Sequence, residues 1–199
     1  MPGEHYFTPH PTSKQALREI VMAFHGQKLK LLTDAGVFAR RGIDRGTRLL
    51  IESITVPSHA QRLVDLGCGY GPIGLALALM APTAEVYLVD VNERACDLAR
   101  LNAARNGLKN VIVRQGKGLA PLEGVFDLIA TNPPIRAGKV VVYGLLAEAA
   151  ERLRPEGELW VVARTSQGAL SLARELEKLF PVVEEVEKGG GFRVYRARK

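Results

Sequence analysis

Two hydrophobic periodicities divide the chain. Over roughly the first 60 residues, apolar positions recur at helical intervals. Leu17, Ile20, Val21 and Phe24 fall three and four apart, which predicts a helix from "SKQALREIVMAF" to Leu32. The stretch "DAGVFARRGIDRG" reads as an irregular, glycine-punctuated connection, and "TRLLIESI" predicts a second helix with Thr47 at its N-cap. From Arg62 the pattern changes to short apolar runs alternating with longer amphipathic or apolar segments. "RLVDL", "AEVYLVD", "NVIVRQ", "VFDLIAT" and "ELWVVAR" predict five strands. "PIGLALALM", "ERACDLARLNAARNG", "VVVYGLLAEAAERL" and "GALSLARELEKLF" predict helices. Pro72 suits a first helical position, Asn92 an N-cap and Gly107 a helix stop. "VVEEVEK", "GGG" and "FRVYRAR" predict a terminal antiparallel hairpin.

This alternation implies an α/β fold with a Rossmann-like, doubly wound, mainly parallel sheet of seven strands. Helices cover both faces, the last two strands form the hairpin, and a short helical extension precedes the sheet. The expected division is residues 1–60 as the helical extension or cap and 61–199 as the main domain. In such sheets ligands bind beyond the carboxyl ends of the strands, so the chemistry should lie in the residues just after each strand.

The first strand runs into "DLGCGYGPIG", residues 65 to 74. Gly67, Gly69 and Gly71 allow a tight turn and close approach of backbone to a ligand, and Gly74 allows close helix–strand packing. Asp65 would repel a pyrophosphate above the turn and attract an ammonium group. Asp90, at the end of the second strand, is spaced to accept from both hydroxyls of a ribose. An ammonium group and a ribose on one ligand point to S-adenosylmethionine. "GYGPIG" is also a literal G-x-G-x-x-G, which keeps a nicotinamide dinucleotide as a rival. Cys68 and Val91, in the same two turns, complete this part of the cofactor site. The third strand ends in Gly116, Lys117 and Gly118, facing the expected adenine. No acidic residue stands there to accept from an adenine amino group, so backbone groups or an apolar wall would have to serve.

The fourth strand ends in "TNPPI". An exocyclic amine on an aromatic base is a poor nucleophile, because its lone pair is delocalised into the ring. Two acceptors aimed at its N–H bonds would hold it in place and favour the pyramidal nitrogen. The Asn132 side-chain carbonyl and the Pro133 main-chain carbonyl are the candidates, and Pro134 restricts Pro133 to extended geometry. Their contribution is positioning and fixed dipoles.

Composition narrows the setting. Of 199 residues, 47% are hydrophobic and 24% charged, typical of a globular domain. No apolar run approaches the roughly 20 residues of a membrane span, and "MPGEHYFTPHPTSK" has no secretory pattern. A cytoplasmic protein with no membrane partner is expected. Cys68 and Cys96 have no metal or disulfide spacing, and neither do His5, His10, His25 and His59, so no metal site is expected. The net charge of +6 favours a polyanionic partner. Basic residues cluster at Arg40 to Arg48 and again from Lys188 to Lys199, where they read either as solvated faces or as phosphate contacts.

"DLGCGYGPIG", "VD" at 89 and 90 and "NPPIRAGK" together resemble class I S-adenosylmethionine-dependent methyltransferases. More narrowly, the chain resembles the ribosomal small-subunit RNA guanine-N2 methyltransferases and their short archaeal relatives. "HYF" at 5 to 7, "GVFARRGIDRGTRLL", "WVVARTSQGA" and "GGGFRVYRARK" extend the likeness over nearly the whole chain. The resemblance implies that residues 61–199 form the methyltransferase domain, with Asp65, Gly67, Gly69, Gly71, Asp90 and Asn132 in the family roles. It implies transfer to an exocyclic amine of an RNA base, most specifically guanine N2 of small-subunit ribosomal RNA. Where family members often carry an aromatic residue after the second proline, this chain has Ile135. Phe38 could replace that stacking surface. Arg40, Arg136 and Lys139 are the candidate RNA contacts, with Pro134 completing the catalytic turn. Either a monomer or a homodimer is compatible with this reading. Three alternatives stay open: a protein glutamine methyltransferase, a nicotinamide-dependent oxidoreductase, and a binding module without activity.

Overall fold

The computed structural model describes residues 16–37 and 42–199. A hairpin comes first, β1 (Arg18–Phe24) and β2 (Gln27–Thr33), followed by α1 (Arg45–Ser53). Then come β3 (Arg62–Leu66), α2 (Pro72–Met80), β4 (Glu85–Asp90), α3 (Glu93–Arg105), β5 (Val111–Gln115) and β6 (Phe126–Thr131). The chain ends with α4 (Lys139–Arg152), β7 (Leu153–Arg164), α5 (Ala169–Leu179), β8 (Val182–Gly189) and β9 (Phe192–Arg198).

Seven strands form one sheet in the order β5-β4-β3-β6-β7-β9-β8. The pairs among β3 to β7 are parallel, and β9 runs antiparallel to both β7 and β8. The chain winds outward from β3 to β5, then crosses back to β6 and winds the other way, so the switch point lies between β3 and β6. Alternate side chains feed two cores. Leu63, Leu88, Trp160 and Val194 face α1, α2 and α3, whereas Val64, Val89, Val161 and Tyr195 face α4 and α5. Burial on both faces explains why these strands read as near-continuous apolar runs. Trp160 is fully buried, and its indole N–H donates to Glu158 at 2.8 Å. Among the described residues no helix is long and apolar enough to cross a membrane.

The expected helices from Pro72 onward form, with Asn92 accepting from the Ala95 N–H at 3.1 Å and Gly107 at φ 68 beyond the end of α3. The helix expected from Ser13 to Leu32 does not form, since residues 18–33 are the β1–β2 hairpin. Of the apolar set at helical spacing, Leu17 and Val21 face solvent, while Ile20, Met22 and Phe24 alternate inward. Leu29 and Leu31 of "QKLKLLT" alternate the same way. His25 and Gly26 have φ of 44° and 74°, the two positive values that a two-residue hairpin turn needs. Nor is Thr47 the cap of α1. Asp44, in extended backbone, accepts from the Gly46 N–H at 2.9 Å and the Thr47 N–H at 3.2 Å. The helix thus starts three residues earlier, and Thr47 lies in its first turn.

Two asparagines on α3 attach the hairpin. Asn102 accepts from the Leu32 N–H at 2.7 Å and donates to the Leu32 carbonyl at 2.9 Å; Asn106 does the same to Lys30 at 3.0 and 2.9 Å. One turn of helix therefore offers the alternate N–H and C=O groups of β2 the partners that a neighbouring strand would. Asn102 also donates to the Tyr70 carbonyl at 2.9 Å, tying the glycine turn to both elements. Asn102→Ala would leave three main-chain groups short of a partner. It should destabilise the fold by about 3 kcal/mol, measurable as a lower urea midpoint.

Candidate functional site

A cavity of about 960 Å³ opens at the carboxyl ends of β3, β4, β5 and β6, at the switch point. Its walls are the turn Gly67–Tyr70, Asp90 and Val91, the loop Gly116–Gly118, Asn132–Pro134, and the face of α4 carrying Val140, Val141, Gly144, Leu145 and Glu148.

The glycines of the first turn adopt φ of 77°, 56° and 94° at 67, 69 and 71, values that side-chain-bearing residues rarely take. The turn is bound to the next strand, as the Gly67 and Cys68 N–H groups donate to the Val89 carbonyl at 2.8 and 3.0 Å. A Cβ at 67 or 69 would meet nothing within 4 Å, so the missing side chains leave open space there. Gly71 lies off the cavity wall as the N-cap of α2, and Gly74 packs so closely that a Cβ would stand 2.5 Å from Leu88 Cγ.

Two acids flank this turn. Asp90 accepts from the Gly69 N–H at 2.8 Å and the Asn92 N–H at 2.9 Å, and it faces the cavity. Burial raises its pKa against the lowering effect of these N–H groups. Asp65 is fully buried and is not part of the wall. Its Oδ2 accepts from the Gly74 N–H, in the first turn of α2, at 2.7 Å, while Oδ1 has no hydrogen-bond partner among the described residues. A carboxylate thus occupies the helix N-terminus where a dinucleotide fold would seat a pyrophosphate. Desolvation, with a smaller push from Asp90, raises the Asp65 pKa to about 7. Cys68 lines the cavity, and burial pushes the pKa of its thiol up.

At the end of β6, Asn132 and Pro133 stand on the wall. The Asn132 NH₂ group donates to Thr47 Oγ1 at 2.9 Å and to Asp44 Oδ2 at 3.2 Å. Pro134, at φ −74° and ψ 76°, makes a tight turn in which the Pro133 carbonyl accepts from the Ile135 N–H at 2.8 Å. That bond fixes the direction of the carbonyl and leaves its second lone pair.

Of the other expected residues, Val91, Gly116, Lys117, Gly118, Pro134 and Arg136 join the wall. Ile135 packs against the core on the α4 side, away from the cavity, and Lys139 is exposed at the start of α4, also off the wall. Phe38 and Arg40 lie outside the described residues. The C-terminal basic run is matched by acids. Arg193 pairs with Glu185, Arg196 with Glu184 and Glu158, and Arg198 with Glu184.

Sequence reasoning missed the α4 face of the wall, and with it the acidic residue Glu148. It reaches from α4 to the loop after β5, where Oε1 accepts from the Leu119 N–H at 2.9 Å. Its Oε2 lies 2.0 Å from where a Gly118 Cβ would be, so the glycine makes room for the carboxylate. Its only trace in the sequence is its position one helical turn after Gly144. Asp44 was missed for a similar reason, being 88 residues from the asparagine it holds.

A model of the methyltransferase small domain matches residues 28–196. The chain belongs to this family of methyltransferases. As a family member, it is 39% identical over 199 residues to the Bacillus subtilis protein "Uncharacterized protein YbxB", covering 99% of both chains. It is 37% identical to the "Ribosomal RNA large subunit methyltransferase G" of Ectopseudomonas mendocina, over 86% of this chain and 46% of that one. Among solved structures it superposes on Thermus thermophilus RsmC, a "16S rRNA N2 G1207 methyltransferase" in complex with AdoMet and guanosine. The TM-score is 0.82 with 26% identity, covering 95% of this chain and 52% of that one. The chain therefore spans about half the length of the ribosomal RNA methyltransferases it matches. Family membership and the carboxylate at the N-terminus of α2 together remove the nicotinamide reading.

The raised Asp65 pKa predicts a pH dependence. The unfolded carboxyl titrates near 3.8 and the folded one at about 7. Between those values the folded state binds the extra proton, so stability falls as pH rises through that window and levels off above about 7. Asp65→Asn should flatten most of this slope in urea midpoints measured from about pH 5 to about pH 8. Asp90 is shifted in the same direction by burial and adds to the slope.

Proposed function

We propose that this methyltransferase uses S-adenosylmethionine to methylate an exocyclic amino group of a base in RNA, guanine N2 of small-subunit ribosomal RNA above all. The observation that carries the reading is the convergence on one cavity of the glycine turn, Asp90 and two fixed acceptors, Asn132 Oδ1 and the Pro133 carbonyl.

The cavity residues suit the cofactor. Gly67 and Gly69 leave room for a ligand against the main chain, and the buried carboxyl of Asp65 and the half-buried one of Asp90 favour a cation. Asp90 keeps lone pairs for ribose hydroxyls. Glu148 supplies the acid missing at 116–118, and its Oε2 is available to accept from the adenine amino group. When bound, S-adenosylmethionine supplies a methyl group made electrophilic by positively charged sulfur. The chain contributes position. Asn132 Oδ1 and the Pro133 carbonyl accept the two amino protons of the base, hold its nitrogen, and meet the positive charge that develops there with fixed dipoles. No strong base is required of either group; the proton is lost to solvent. A base must leave its stack to enter such a cavity, and Arg136 at the wall is suited to a phosphate or base edge. Transfer to RNA is further supported by the similarity of this chain to ribosomal RNA methyltransferases.

Nucleoside mass spectrometry of small-subunit ribosomal RNA from cells with and without the protein should show one N2-methylguanosine gained with it. Labelled-methyl assays with Asn132→Ala should lose at least about 100-fold in kcat. Transfer to release-factor glutamine instead of RNA would overturn the substrate assignment. In Glu148→Gln the amide oxygen keeps the bond to Leu119, and an NH₂ donor replaces the acceptor that would face adenine. The substitution should weaken S-adenosylhomocysteine binding by about tenfold in calorimetry.

A further inference from the structure

We infer that Asp44 is a positioning residue that sets which way the Asn132 amide faces. This inference rests on the methylation reading above. An asparagine side chain has two near-equivalent orientations, and only one presents oxygen to a donor. In this site the NH₂ end meets Thr47 Oγ1 at 2.9 Å and Asp44 Oδ2 at 3.2 Å. Thr47 cannot decide the matter, because a hydroxyl both donates and accepts. The Asp44 carboxylate only accepts. If the amide were turned over, its oxygen would face that carboxylate, so the NH₂ end is held there and Oδ1 is left for the cavity.

The same Oδ2 also accepts the Gly46 and Thr47 N–H groups at the start of α1, at 2.9 and 3.2 Å. The carboxylate is therefore itself held by a helix N-terminus, and the amide inherits its orientation. Gly46 lets that end of α1 sit close to β9, since a Cβ there would stand 2.7 Å from the Phe192 ring. The helix that precedes the sheet thus reaches the catalytic turn through the Asp44 carboxylate at its cap and the Thr47 hydroxyl in its first turn.

Two substitutions separate this role from capping. Serine at 44 still caps a helix but is too short to reach Asn132, and asparagine at 44 caps while its oxygen takes the place of Oδ2. The test reads the Asn132 side-chain NH₂ in ¹H–¹⁵N spectra, with the resonance assigned by its absence in Asn132→Ala. In the parent protein and in Asp44→Asn, the NH₂ protons should resonate away from ordinary asparagine values and exchange slowly with water. In Asp44→Ser they should move to ordinary values and exchange at least about tenfold faster, while the thermal midpoint stays close to that of the parent. The kcat for methyl transfer should fall about tenfold in Asp44→Ser with little change in KM for S-adenosylmethionine, and recover in Asp44→Asn. An Asn132 NH₂ signal unchanged in Asp44→Ser would overturn the inference. So would equal loss in Asp44→Asn and Asp44→Ser, since the charge and not the acceptor would then matter. Slow exchange in a protein that methylates no RNA would leave the amide orientation standing and remove the methylation reading instead.

Discussion

The site depends on how the chain leaves β3. A parallel strand that ends beside its neighbour must turn upward without losing its hydrogen bonds. Here the Gly67 and Cys68 N–H groups go to the Val89 carbonyl, and the Gly69 N–H goes to Asp90. Three positive φ values in five residues make that path possible. The bonds hold the turn down on β4, and the missing side chains keep the space above it clear. The remaining walls arrive from the neighbouring strand ends at the same level. The ligand cavity is therefore a consequence of parallel strands ending together.

Charge in this site is arranged by burial. Asp65 is removed from water and Asp90, close by, is half-buried; one main-chain N–H holds the first and two hold the second. Removal from water disfavours their ionised forms, which a nearby cation would restore. At the other edge of the sheet the position is reversed. The arginines of β9 face glutamates of β7 and β8, so a run that looks strongly basic in sequence is largely compensated in three dimensions. Net charge read along a chain says little about the potential over a face once strands pair.

What the sequence made legible was contiguous. The glycine turn, Asp90 and Asn132-Pro133-Pro134 each sit at the end of an apolar run, and each lies on the cavity wall apart from Gly71 and the buried Asp65. Groups that act across sequence distance were illegible. Asp44 and Glu148 come from other elements, and nothing beside them in the chain marks what they touch. The hairpin was misread for a different reason. Leu17, Ile20, Val21 and Phe24 satisfy a helical period, while Ile20, Met22 and Phe24 satisfy a strand period. The arbiter is the His25-Gly26 turn followed by the alternation of "QKLKLLT", which a helix does not explain. Ile135 follows the same logic. It stands where family members often carry an aromatic residue, but after the short turn at Pro134 it packs, half-buried, against the core.

The paired asparagines of α3 have a further effect. A two-stranded ribbon outside the main sheet ordinarily exposes a row of main-chain groups, to which another molecule's extended segment can add. Asn102 and Asn106 occupy that row at Lys30 and Leu32 with amides that cannot propagate a ladder. Side chains on a helix thereby serve as a blunt end for the ribbon, and at Lys30 and Leu32 its outer edge has no main-chain group left for an incoming strand.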